Sequence, residues 1–132
     1  MVYNTKIKVG ITHGDINGIG YEVIIKTLME PRILEMCTPV IYGSPKVAAY
    51  HRKALNVEHI SYNHIRHPQE AAANKVNIIN CIDENIRVEL GKSTPSAGES
   101  SLMALERAVG DIQKGLIDVL VAILMGQILF GV

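Results

Sequence analysis

The hydrophobic positions of this chain repeat with two periods, and the alternation between them sets the expected architecture. Residues 6–11 (KIKVGI) read as a strand entering the glycine-bearing segment 13–20. Tyr21, Ile24, Ile25 and Leu28 then recur at i, i+3, i+4 and i+7, one face of a helix over 21–29 that Pro31 is expected to stop. Residues 39–43 (PVIYG) form a short apolar run of central-strand type. Ser44 and Pro45 are placed as cap and first position of a helix running to 55, with Val47, Ala48 and Leu55 on one side. Weak alternation at 57–60 predicts a short strand inside a polar stretch, and 76–82 predicts another strand. Ser96 and Glu99 make an S-x-x-E capping box opening a helix over 96–114. Its apolar stripe is Leu102, Leu105, Val109 and Ile112, and Gly115 suits its end. Residues 117–123 are almost continuously apolar, the pattern of a strand buried on both faces.

Strands alternating with helices at this spacing predict a parallel or mixed sheet covered by helices, an α/β architecture. Composition narrows the function classes. Over 132 residues, 13 Lys+Arg balance 13 Asp+Glu, a poor basis for binding nucleic acid. Two cysteines, Cys37 and Cys81, are too few for a disulfide scaffold and read as small buried residues. The N-terminus lacks the apolar core of a secretory signal, so a cytoplasmic location is expected. No charge follows Asp118, but that apolar run is shorter than the ~20 residues of a membrane span. It is also longer than a sheet strand, and it reads as an apolar tail over 122–132 after a chain that stops mid-domain.

Candidate chemistry concentrates in two segments. In the first, His13, Asp15, Asn17, Gly18 and Gly20 lie where strand one meets its helix, the place where α/β proteins bind ligands. The glycines allow close backbone approach, and the helix start offers N–H groups to a phosphate or carboxylate. Asp15 is suited to a substrate hydroxyl, and His13 is near enough in sequence to share the site. The alternative is a tight turn with no ligand, since the text is neither G-x-G-x-x-G nor a P-loop. The second segment, 89–99, is a polar glycine-bearing loop before a capped helix, in which Lys92 could pair with an anion. The histidines at 59, 64 and 67 have no metal-site spacing and read as surface loop.

The text of residues 9–22, VGITHGDINGIGYE, resembles the opening of the 4-hydroxythreonine-4-phosphate dehydrogenases, G-I-T-M-G-D-P-x-G-I-G-P-E. Gly10, Ile11, Thr12, Gly14, Asp15, Gly18, Ile19, Gly20 and Glu22 match, while His13, Ile16 and Tyr21 stand where that text has Met, Pro and Pro. Residues 39–43, 91–98 (GKSTPSAG) and 117–121 resemble further family segments. The resemblance implies an oxidoreductase of vitamin B6 biosynthesis that uses NAD and a divalent metal (Zn, Mg or Co). It implies a homodimer of two-domain, three-layer α/β/α subunits with an isocitrate/isopropylmalate dehydrogenase-like fold. The substrate would be a small phosphorylated amino acid, 4-phosphohydroxy-L-threonine, oxidised by hydride transfer to NAD and then decarboxylated to 3-amino-2-oxopropyl phosphate. Residues 1–121 would be the N-terminal part of such a subunit. The family loop after the last strand, with its proline and lysine, is replaced by 121–127 (VAILMGQ), as a truncated or frameshifted reading frame would give. None of the five histidines matches a family metal ligand, so no complete catalytic set and no metal site are expected, and the chain alone is expected to be inactive. The alternative function is a non-catalytic α/β domain that binds a phosphate ligand or a partner through the Gly14–Gly20 loop.

Overall fold

In the computed structural model, residues 6–83 and 85–123 are described; the tail over 124–132 lies outside them. Among the described residues five strands form one parallel sheet in the order β3-β4-β2-β1-β5. They are β1 (Ile7–Thr12), β2 (Cys37–Gly43), β3 (Tyr62–Ile65), β4 (Val76–Asn80) and β5 (Val119–Ala122). The helices are α1 (Gly20–Leu28), α2 (Pro31–Met36), α3 (Pro45–Ala54) and α4 (Pro95–Gln113), with a 3-10 turn at Pro68–Glu70. Val40, Ile41 and Tyr42 of β2 are fully buried, as a central strand with helices on both faces requires.

Alternation along the strands sorts the core into two layers. Ile41 and Ile78 face Ile24, Ile25 and Leu28 of α1 and Val47 and Ala48 of α3. Val40, Tyr42 and Ile79 face Ala104 and Ala108 of α4. The result is the expected three-layer α/β/α arrangement. Register pairs Ile11 with Ile41 and with Val121, so these three share the α1 face.

Several boundaries depart from the sequence reading. The helix over 21–29 does stop before Pro31, at Leu28, but Pro31 also starts a second helix that the pattern did not announce. It occupies the first turn of α2, where its missing N–H costs nothing, and the Glu30 carboxylate accepts from Arg32 N–H at 3.5 Å. The strand expected at 57–60 lies at Tyr62–Ile65 instead, paired with β4. The long helix α4 is capped by Thr94, whose Oγ1 accepts from Ala97 N–H at 3.2 Å with Pro95 behind it, and not by the Ser96–Glu99 box. Its buried face is Ala97, Ser100, Ser101, Ala104, Ala108 and Asp111, whereas Leu102 and Val109 of the expected stripe are exposed. Small residues let α4 lie close to Tyr42, whose hydroxyl donates to the buried Asp111 carboxylate at 2.8 Å. β5 is not buried on both faces: Val119 is 42% and Val121 47% exposed. Ser44 does cap α3, accepting from Val47 N–H at 3.2 Å, and Gly115 has the positive φ of a helix terminator. Cys37 and Cys81 are free and only partly buried.

Candidate functional site

The segment after β1 leaves the carboxyl end of the sheet next to its centre. Gly18 N–H donates to the Asp15 carbonyl at 3.1 Å, closing a turn, and Asn17 N–H donates to the Asp15 side chain at 2.9 Å. These bonds fold residues 15–18 into a knuckle ahead of α1. Gly20 is required by space, because a Cβ there would lie 2.4 Å from the His13 carbonyl oxygen. Ile19 occupies the α1 cap position and no side chain caps the helix, so its first N–H groups have no side-chain acceptor.

The two candidate segments, distant in sequence, meet at Asn17. Its amide donates to the Lys92 carbonyl at 3.1 Å and to Thr94 Oγ1 at 3.2 Å, and its side-chain oxygen accepts from Glu89 N–H at 2.7 Å. Its carbonyl also accepts from Gly91 N–H at 2.9 Å. Asn17 is 2% exposed and holds the 89–94 loop and the α4 cap against the glycine loop. The arrangement leaves Asp15 and Gly18 partly exposed and Lys92 exposed at one junction. The donors of Glu89 and Gly91 are backbone groups, which carry no signature in the sequence.

His13 belongs elsewhere than the sequence placed it. It is fully buried, with Nδ1 3.0 Å from the Tyr21 hydroxyl and Nε2 3.0 Å from the Ser100 carbonyl. Both ring nitrogens are committed within the protein, which leaves neither for a ligand. Burial lowers its pKa below 6.5; the Ser100 carbonyl and the Asp15 carboxylate pull it back, and His51 adds to the lowering. His51, which sequence reasoning passed over, is also buried, and its Nε2 donates to the Ile16 carbonyl at 2.8 Å. No local pattern announces that contact, because it spans 35 residues.

Among the described residues no three His, Cys, Asp or Glu side chains cluster to hold a metal ion. The described residues therefore do not by themselves fit the divalent metal that the resemblance implies. The β1–α1 loop lacks the dinucleotide glycine pattern and spends two of its N–H groups on Asp15, so it does not mark out a nicotinamide site either. No described helix is long and apolar enough to cross a membrane.

The geometry can be set beside known proteins. The chain is 54% identical over 116 residues to a 4-hydroxythreonine-4-phosphate dehydrogenase of Bacteroides thetaiotaomicron, covering 88% of this chain and 32% of that protein. It is 30% identical over 113 residues to a protein of Oceanobacillus iheyensis named, provisionally, as a D-threonate 4-phosphate dehydrogenase, covering 83% and 34%. The chain thus spans about a third of the length of these curated relatives. Its fold superposes on the crystal structure of a Burkholderia phymatum 4-hydroxythreonine-4-phosphate dehydrogenase with a TM-score of 0.77 at 26% identity, over 89% of this chain and 36% of that one. Residues 35–125, most of the chain, match the family described as pyridoxal phosphate biosynthetic protein PdxA, and the chain belongs to that family.

Proposed function

We propose that this chain is the N-terminal part of an NAD-dependent 4-hydroxythreonine-4-phosphate dehydrogenase of vitamin B6 biosynthesis. In this reading residues 1–121 form one wall of the substrate cleft, and the complete enzyme is a cytoplasmic homodimer. The observation that carries it is the Asn17 junction, which brings an uncapped helix start, Asp15 and the Lys92 loop together at the carboxyl edge of a parallel sheet. The first turn of α1 receives the substrate phosphate, Asp15 accepts a hydrogen bond from a substrate hydroxyl, and Lys92 offsets anionic charge. NAD supplies the hydride acceptor for oxidation of the secondary alcohol, and the β-keto acid formed loses CO₂ to give 3-amino-2-oxopropyl phosphate. The 54% identity to a protein of this name favours the hydroxythreonine phosphate as substrate.

In this reading the chain, which spans about a third of the length of its curated relatives, does not turn over alone. The test has two arms. The purified chain, given 4-phosphohydroxy-L-threonine, NAD and a divalent metal, produces no NADH; NADH formation would refute its inactivity. A chimera in which residues 6–121 replace the matching part of the Bacteroides thetaiotaomicron enzyme oxidises 4-phosphohydroxy-L-threonine. A folded chimera that prefers D-threonate 4-phosphate, or that binds phosphate without any turnover, would overturn the assignment, the second outcome in favour of a non-catalytic binding domain.

A further inference from the structure

The three residues that depart from the family text in the glycine segment are all fully buried, and they meet beneath the loop. The Ser100 carbonyl can only accept, so His13 Nε2 carries the proton and the neutral ring presents Nδ1 as an acceptor. The Tyr21 hydroxyl, 3.0 Å away, donates to it in preference to the Ser44 carbonyl at 3.4 Å. The Tyr21 oxygen in turn accepts from Ser44 N–H at 2.9 Å. The Tyr21 ring stacks on His51 with centroids 5.3 Å apart, and His51 donates to the carbonyl of Ile16, the third departure. Room for the pair comes from Gly43, where a Cβ would lie 2.2 Å from the Tyr21 hydroxyl and 2.9 Å from His13 Nδ1. Four elements are therefore tied through one cluster: β1 by His13, α1 by Tyr21, the start of α3 by Ser44 and α4 by Ser100.

We propose that His13, Tyr21 and His51 form a single buried lock that sets the shape of the Gly14–Gly20 loop, with His13 and Tyr21 as coupled positioning residues for the ligand that loop holds. The two polar side chains stand where the family text has Met and Pro, and His13 Nδ1 has the Tyr21 hydroxyl as its partner. Removing the Tyr21 hydroxyl strands His13 Nδ1 and Ser44 N–H together, and removing His13 leaves the hydroxyl only the longer contact to the Ser44 carbonyl at 3.4 Å as an acceptor. The ligand part of this inference rests on the reading of the loop as a phosphate site; the coupling part does not.

The experiment is a double-mutant cycle on the full chain with His13→Met, Tyr21→Phe and the pair, joined to NMR of the labelled protein. In the unaltered chain, long-range nitrogen–proton spectra show His13 as the Nε2–H tautomer with a hydrogen-bonded Nδ1, a readout that needs no variant. Tyr21→Phe moves that Nδ1 resonance to the position of a free acceptor. Each single substitution lowers the thermal midpoint by about 5 °C, and the pair lowers it little further. Additive midpoints, or an Nδ1–H tautomer, would overturn the lock. Inorganic phosphate titrated into the unaltered chain shifts the Gly18 and Gly20 amides, and either single variant weakens that binding several-fold. Phosphate binding equal to that of the unaltered chain in folded single variants would overturn the positioning role. Absence of any shift in the unaltered chain would overturn both the phosphate site and the ligand part of this inference, while the cycle still decides the coupling.

Discussion

A buried histidine held in one protonation state makes stability depend on pH in a direction that can be worked out. Burial disfavours the charged form of His13, so its folded pKa lies below 6.5 while the unfolded chain titrates at the ordinary value. Below pH 6.5 the unfolded state therefore binds more protons than the folded one, and stability falls as pH falls toward the lowered folded value. Above 6.5 the two states bind equally and the contribution is complete. Urea unfolding across that range gives a steeper loss of stability in the unaltered chain than in His13→Met, and equal slopes would show that His13 is not the group responsible. Asn17 is the other residue on which the site depends. Asn17→Ala leaves Glu89 N–H and the Lys92 carbonyl without their side-chain partner and costs about 1.5–3 kcal/mol by denaturant midpoint. Asn17→Asp costs more than Ala does, because the carboxylate keeps the acceptor for Glu89 but places negative charge against the Lys92 carbonyl.

At the level of elements, the position of the α4 cap separates what the sequence states from what the fold decides. Thr94→Ala removes the acceptor for Ala97 N–H and a partner of Asn17, and costs about 1 kcal/mol or somewhat more. Ser96→Ala, at the residue the S-x-x-E pattern singled out, changes stability by no more than a few tenths of a kcal/mol; the two denaturant midpoints, compared side by side, decide which residue caps the helix. Pro95 explains the displacement, since a proline favours the first helical position and moves the cap back to the residue before it. The same helix shows why its buried face was misread. Periodicity finds the larger apolar residues, but tertiary packing chose the small ones, because only Ala104 and Ala108 allow approach to a sheet face already filled by Tyr42. β1, β2, α1 and α3 were legible because their apolar periods and the Ser44–Pro45 signal agree with the packing. The site was half legible. The glycine segment and Lys92 stand out in the text, whereas the Asn17 junction and the His13–Ser100 contact depend on register across 72 to 87 residues, which no window along the chain contains.

Over the whole molecule, the sheet treats its two edges differently. β3 is short and places Asn63 and His64 at one edge, with Asn63 spent on Asn77 at 2.8 Å, so that edge offers little to another strand. β5 at the other edge is apolar. Its pairing with β1 puts Val119 and Val121 on the α1 face together with Ile7, which is 50% exposed. On the same face Val23 of α1 is 48% exposed. Among the described residues β5 pairs with β1 alone, and an apolar strip beside such a strand edge combines two routes to association, burial of the side chains and pairing of the backbone. The 132-residue chain therefore self-associates with rising concentration in sedimentation velocity. Val121→Lys reduces that association without lowering the unfolding midpoint, because the side chain already faces solvent and its backbone pairing to Ile11 is kept. A chain that stays monomeric at high concentration, or a Val121→Lys variant that associates as strongly, would show that this face is too small to drive contact, and the apolar surface would then have to be accounted for within the monomer.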